Sequence, residues 1–249
     1  MTVSPIVWRV EHFVEIDSTN TYLKDLAEGG DQGLVALADF QRAGRGRLDR
    51  QWSSPPRASL LCSVLLRPNL DASELQLVVA AVALAIRSAL ERVSGLRAGL
   101  KWPNDLVVEG RKLAGLLAEV VATSHGLAVV VGFGVNLTDE GPDGVDATSV
   151  RAETGLTIEP RALLDIVLEE LEPRRVALDT DDGRARLRDS YLSALVTVGQ
   201  VVRVEQHRGD LLGTAVGVDE RGQLLVEVDG EVHTVEAGDV VHLRRGELP

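Results

Sequence analysis

Residues 41–52, QRAGRGRLDRQW, gather Arg42, Arg45, Arg47 and Arg50 around Gly44 and Gly46 in a chain of 249 residues whose formal net charge is −12. Alternating glycine and arginine lets a backbone approach a ligand closely while guanidinium forks converge on it, which suits carboxylate and phosphate oxygens. Two other readings fit the same stretch: a solvated arginine-rich loop, or a segment that holds nucleic acid without sequence preference. The rest of the chain has to separate them.

Three further stretches concentrate polar groups. Lys101-Trp102-Pro103-Asn104-Asp105 sets a lysine, an amide and a carboxylate around a proline, which drives Trp102 to extended backbone and makes this a strand end or turn. Lys112 follows a Glu109-Gly110 turn, and Ala114 and Gly115 leave space beside it. A lone lysine at a strand start is ordinarily a solvated charge, but this one neighbours the proline bend. Asp17-Ser18-Thr19-Asn20 is a good helix cap and equally a cluster of hydroxyls and amides able to bond a polar ring. Gly132-Phe133-Gly134-Val135-Asn136-Leu137 starts like a dinucleotide-binding turn, yet Leu137 stands where the third glycine belongs and 138–144 reads as loop, so that reading is rejected. A glycine pair at a strand end, with Asn136 as a polar handle, remains.

Composition narrows the classes. With 45% hydrophobic and 26% charged residues the chain is globular and long enough for a sizeable core. The acidic balance argues against a protein devoted to a polyanion, though not against a local cationic pocket. Cys62 is the single cysteine, which excludes an internal disulfide and a cysteine-rich metal site. The longest apolar run, 77–86, is too short to span a bilayer, and the acidic N-terminal stretch is unlike a signal peptide. A cytoplasmic protein is expected.

The elements that must position these groups read as follows. Strands are expected at 6–16, 33–39, 59–66 and 127–131, a hairpin at 107–121, and helices at 21–27, from about 71 to 93 behind an Asp71–Glu74 capping box, from 160 to 171 closing near Pro173, and from 182 to 195. Beyond Thr197, short runs alternate with glycine turns, which predicts a small barrel and a boundary near 196. The arginine loop hangs between two buried strands, where a cover for a site would sit.

In order and spacing, Ser18-Thr19-Asn20, the GRGR loop with Arg50 and Trp52, the KWPND bend with Lys112 in RKLAG, and GFGVNL together resemble the biotin protein ligases, over nearly the whole chain. GRGR with KWPND is the specific part. The resemblance implies an α/β (α+β) fold: a mixed-sheet catalytic domain of the biotin/lipoate ligase type over 1–196, then an SH3-like β-barrel over 197–249. It implies activation of biotin by MgATP to biotinyl-5'-AMP and pyrophosphate, then transfer to a lysine of a biotin carboxyl carrier protein of acetyl-CoA carboxylase or a related carboxylase. Ser18, Thr19, Asn20 and Gln41 would hold the ureido head, with Gly44 and Gly115 lining the biotin site. Arg45, Gly46 and Arg47 would close over carboxylate and phosphate, and Lys112 would bridge them, the lysine and the two arginines being catalytic. Arg50, Trp52, Asn104 and Asn136 would serve the nucleotide, and Asp105 would support the bend and the lysine. Magnesium would arrive with ATP, with no ion fixed by protein ligands.

Two departures matter. The family commonly has glycine where this chain has Asp49, and the catalytic pattern starts within the first ten residues, which leaves no room for the helix-turn-helix some members carry, so no DNA or membrane binding is expected. Homodimerisation is left open. A lipoate or octanoate transferase is the nearest rival, disfavoured by GRGR and KWPND, and a nucleic-acid binder built on the arginine loop is the rival from another class.

Overall fold

Eight consecutive buried residues, Ser59–Leu66, require a strand covered on both faces, and the fold is assembled around it. The computed structural model describes residues 6–48, 50–139, 141, 145–205, 209–236 and 238–243. The elements run β1 (Arg9–Phe13), α1 (Thr19–Leu26), β2 (Leu34–Ala38), β3 (Ser59–Leu66), α2 (Leu75–Ser94), β4 (Gly99–Lys101), β5 (Asp105–Val108), β6 (Arg111–Thr123) and β7 (Gly126–Asn136). After these come α3 (Val150–Thr154), α4 (Pro160–Leu178), α5 (Asp181–Ala194) and five short strands, β8 (Val201–Glu205), β9 (Leu211–Val218), β10 (Leu224–Val228), β11 (Glu231–Val235) and β12 (Asp239–His242).

The first seven strands form one mixed sheet in the order β1-β2-β3-β7-β6-β5-β4. Only β1 and β2 pair in parallel. Alternate β3 residues Leu60, Cys62, Val64 and Leu66 face α2 and α4 in the main core, whereas Leu65 faces a smaller core beneath α1 with Leu23, Ala36 and Val130. The two-residue period therefore assigns one sheet face to the helical layer and the other to α1 and its surroundings. The Asp71–Glu74 capping box is present and leads through a 3-10 turn into α2.

Two expectations need correction. β7 runs without a break through Gly132 and Gly134, so these glycines are inside a strand and not beyond its end. α4 continues past Pro173 to Leu178, because Leu171, Arg175 and Leu178 are all buried on one face and Arg174 reaches Ser88 of α2 at 2.8 Å, while the proline lies on the exposed side. Packing outweighs the one N–H the proline lacks. The C-terminal strands form an antiparallel sheet in the order β11-β10-β9-β8-β12, consistent with the expected small SH3-like domain, although β11 and β12 do not pair with each other among the described residues and the barrel is left unclosed. The first strand is also shorter than 6–16, and part of 138–144 lies outside the described residues. Among those described, no helix is long and apolar enough to cross a membrane.

The two sheets share one core. Trp102, fully buried at the proline bend and joined to Pro103 by a cis peptide bond, donates from Nε1 to Gly222 O at 3.1 Å, and its backbone N–H donates to Thr197 Oγ1 at 3.0 Å. His242 of β12 lies 3.2 Å from the same hydroxyl. Burial, with Lys101 nearby, pushes the His242 ring down to about 4. Because the unfolded chain takes this proton first, stability is complete above the ordinary histidine value near 6.5 and falls as the pH drops from there towards 4. Urea unfolding at pH 7 and pH 5 should show that loss, and His242→Gln should flatten it.

Candidate functional site

Residues paired directly across neighbouring strands point to the same face of a sheet, so the register shows which side chains converge. One row reads Ser63, Gly132, Leu117, and the next Leu61, Gly134, Gly115, Asp105. Both lie on the face away from α2. Three glycines thus lower one patch of that face. A Cβ at Gly132 would come 2.1 Å from Asn20 Oδ1, and one at Gly134 would come 2.3 Å from Trp52 Cε2. Gly132 and Gly134 of this patch floor a narrow cavity of about 30 Å³, walled by Ser18, Thr19, Asn20, Gln41 and Trp52.

The polar wall is tied together by the start of α1. Ser18 is its N-cap, accepting from Thr21 N at 3.4 Å, so the capping and ligand-facing readings of this tetrad coexist. Gln41 Oε1 accepts from Thr19 N at 2.8 Å and from Thr19 Oγ1 at 3.0 Å. Asn20 Nδ2 donates to Leu117 O at 3.2 Å and Glu119 Oε2 at 2.9 Å, which turns Oδ1 towards Ser63. Ser63 Oγ lies 2.7 Å from Thr19 Oγ1 and 2.6 Å from Asn20 Oδ1, and its single proton can serve only one of them. The wall therefore keeps oxygen lone pairs for N–H donors on a ring.

The arginine stretch forms a tight arch. Gly46 N donates to Arg50 O at 2.7 Å, Trp52 N donates to Gly44 O at 3.0 Å, and Arg45 and Gln51 form an antiparallel bridge. A Cβ at Gly44 would stand 2.3 Å from Trp52 O, so close approach requires glycine there. Leu48, at φ +52, turns the tip in the left-handed region, and Asp49 beside it lies outside the described residues. Arg42 is committed to the base through Glu15 and Asp17 at 2.8 and 2.7 Å. Arg45 pairs with Glu119 at 3.1 Å. Arg50 reaches Asp239 of the second sheet at 2.7 Å, and Arg47 lies 3.5 Å from the same carboxylate while donating to Asn104 Oδ1 at 3.1 Å and Gly238 O at 3.2 Å. Burial lowers the Arg47 pKa, with Asp239 and Asp105 opposing the shift.

Lys112 reaches the glycine floor through a β-bulge. Leu106 pairs with Ala114 but Val107 pairs with Lys112, so Leu113 is an extra residue that returns Lys112 to the face of Asp105 and Gly115. Its Nζ lies 2.8 Å from Asp105 Oδ1 and 5.7 Å from the centroid of Trp52. Trp52 Nε1 is buried and without a hydrogen-bond partner among the described residues, which leaves a donor for an acceptor at the cavity. Asn104 braces the bend by donating to Leu116 O at 2.7 Å.

The structure thus brings Ser18, Thr19, Asn20, Gln41 and Trp52 to one cavity, sets Gly115 and Lys112 against the Trp52 ring beside it, and places Arg45, Arg47 and Asn104 around them with Gly44 and Gly46 in the arch. Asn136 donates to Thr148 O at 3.0 Å and so holds the segment that bonds Lys112 through its backbone. Sequence reasoning missed Ser63, Glu119, Lys24 and Asp239. The first two break otherwise apolar strands, and that was a usable signal once the glycines fixed which face they share. Lys24 and Asp239 carried none.

The biotin/lipoate A/B protein ligase family matches residues 13–136, and the biotin protein ligase C-terminal domain matches 197–243. The chain is 37% identical over 248 residues to the biotin–[acetyl-CoA-carboxylase] ligase of Mycobacterium tuberculosis, covering 95% of this chain and 90% of that protein. It is 33% identical to the protein of the same name from Paracoccus denitrificans, covering 90% and 96%. The structure of the Aquifex aeolicus biotin protein ligase in complex with biotin and ATP superposes with a TM-score of 0.80 at 26% identity, covering 94% and 98%.

Gly134→Ala should push Trp52 off the floor at a cost of about 1–3 kcal/mol. The expected readout is a red shift of tryptophan emission together with a lower unfolding midpoint, and an unchanged spectrum would show that the ring does not rest there.

Proposed function

The chain belongs to the biotin/lipoate A/B protein ligase family, and from that premise we propose that it is a biotin protein ligase, joining biotin to ATP as biotinyl-5'-AMP and passing the biotin to a lysine of the biotin carrier of acetyl-CoA carboxylase or a related carboxylase. The observation that carries this reading is the cationic rim set over the glycine floor: Lys112 on its bulge, with Arg45 and Arg47 on the arch. In the first step a carboxylate oxygen attacks the α-phosphorus and pyrophosphate departs. Two like charges about 4 Å apart repel by roughly 4 kcal/mol at an effective dielectric of 20, so cations that persist through the transition state are what the chain must supply.

The roles follow the chemistry of each group. Ser18, Thr19, Asn20 and Gln41 bond the ureido ring of biotin, with Ser63 behind them. Arg45 and Arg47 take the carboxylate and phosphate oxygens, and Lys112, a compact charge, bridges the two. Arg50, Trp52 and Asn104 serve the nucleotide, and Asp105 holds Lys112 in place. Asn136 supports the backbone around Lys112. In the second step the carrier lysine attacks the acyl carbon and AMP leaves. Magnesium enters with ATP as part of the substrate, where it would neutralise the departing pyrophosphate. The cavity admits a water or two, so the bicyclic ring enters only if Trp52 and the arch move, and their return then keeps water from the anhydride. Residues 1–196 act as the catalytic unit, and 197–249 brace the arch through Asp239.

Incubation with biotin, MgATP and a biotin carrier domain tests the assignment, the expected result being a mass gain on one carrier lysine; labelling by lipoate in place of biotin would overturn it. Lys112→Ala should lower biotin-dependent pyrophosphate exchange by about 10²-fold or more while moving stability by less than about 1 kcal/mol, because the lysine acts on developing charge and is part-exposed. Arg47→Gly should raise the off-rate of the adenylate and label bystander lysines, and an unchanged off-rate would count against closure of the arch over the intermediate.

A further inference from the structure

Glu119 is a carboxylate in the interior of β6 on the same face as Gly115 and Leu117, largely buried at 18% exposure, and three groups from three parts of the chain converge on it. Lys24 of α1 lies 2.8 Å from Oε1, Arg45 of the arch 3.1 Å from the same oxygen, and Asn20 Nδ2 donates to Oε2 at 2.9 Å. Burial raises the pKa of Glu119, and the bonds from Lys24 and Asn20 with the charges of Lys24 and Arg45 outweigh it, so the group stays ionised. One carboxylate facing two cations leaves one positive charge over, the complement of a monoanion.

We infer that Lys24 and Glu119 are positioning residues forming a charge exchanger for Arg45: Glu119 parks the arginine at the cavity wall, and Lys24 neutralises Glu119 when Arg45 swings to the carboxylate of the incoming acid. The inference rests on the reading of the site as one that takes biotin. Its logic is the cost of an unpaired buried charge. If Arg45 were the only cation on Glu119, its departure would strand a carboxylate in a low-dielectric wall, and Arg45 would stay. Lys24 removes that penalty without competing for the substrate, because it is anchored in the last turn of α1 while Arg45 hangs on a glycine-flanked arch. Glu119 also ties the two ends of the cavity together. The carboxylate that fixes the Asn20 amide is the one that releases Arg45, so ring recognition and charge recognition share an oxygen pair.

The exchanger acts on the charged end of the ligand only, and this separates it from a structural role. Calorimetric titration with biotin and with uncharged biotinamide should show that Lys24→Met weakens biotin by roughly five-fold relative to biotinamide, the size expected of a part-exposed ion pair. Lys24→Arg should restore the parent ratio. In the double variant Lys24→Met with Glu119→Gln, Arg45 has no carboxylate to leave, so the preference for biotin should return even if overall affinity drops through Asn20. A parent-like ratio in Lys24→Met, equal weakening of both ligands, or a loss that persists in the double variant would overturn the exchanger. A parent chain that binds neither ligand would overturn the biotin reading and the exchanger together.

Discussion

The pleat of the seven-stranded sheet is the constraint on which the site depends. Direct partners across β3, β7, β6 and β5 must share a face, and here the shared face carries Ser63, Gly132 and Leu117 in one row and Leu61, Gly134, Gly115 and Asp105 in the next. The opposite parity is occupied by Leu60, Cys62, Val131, Phe133 and Val135, all packed in the main core. A core that needs large side chains on one face and a cavity that needs none on the other are satisfied by the same strands, because the period of two separates the demands. The helical layer keeps the floor flat by filling the far side.

Electrostatics at the rim run against the character of the whole molecule. The chain is acidic by twelve charges, yet among the described residues of the rim Lys24, Arg45, Arg47, Arg50 and Lys112 face only Glu119, Asp105 and Asp239. Two positive charges remain, one near the ring-binding wall and one near the second sheet. A carboxylate and a phosphate brought together call for such a distribution. The acidic remainder of the surface disfavours polyanions, so the local excess favours a small anionic ligand over a long one.

Much of this was legible in the sequence, and the gaps have physical causes. β3, β6, α2 and the capping box at Asp71 and Glu74 are found where periodicity puts them, since their patterns are long and local. The polar tetrad at the start of α1 and the glycine-arginine stretch stood out because their composition is unusual for an acidic globular chain. Pro173 misled because helix continuation there depends on α2, which no local pattern reports. The C-terminal sheet was expected as a small SH3-like barrel and is consistent with one, but regular short strands show how many elements there are and not whether the last pairs with the fourth. Asp239 was invisible for a related reason: what makes it a partner of Arg47 and Arg50 is the placement of one sheet against the other through Trp102. Asn136, expected at the nucleotide, also donates to Thr148 O, a backbone contact that side-chain type alone does not report.

The bulge at Leu113 carries a consequence for how such a protein can change over generations. Lys112 and Gly115 are three residues apart, an odd spacing that would put them on opposite faces of a regular strand, and the extra residue cancels the mismatch. Removing or adding one residue between 107 and 114 would leave the composition of the hairpin almost untouched and would turn the lysine into the helical layer. Point substitutions in this hairpin alter one contact each, whereas a change of length inverts the chemistry. Selection on this stretch should therefore act on residue count more severely than on residue identity, and the hairpin is a poor place for the insertions that surface loops elsewhere in the chain absorb.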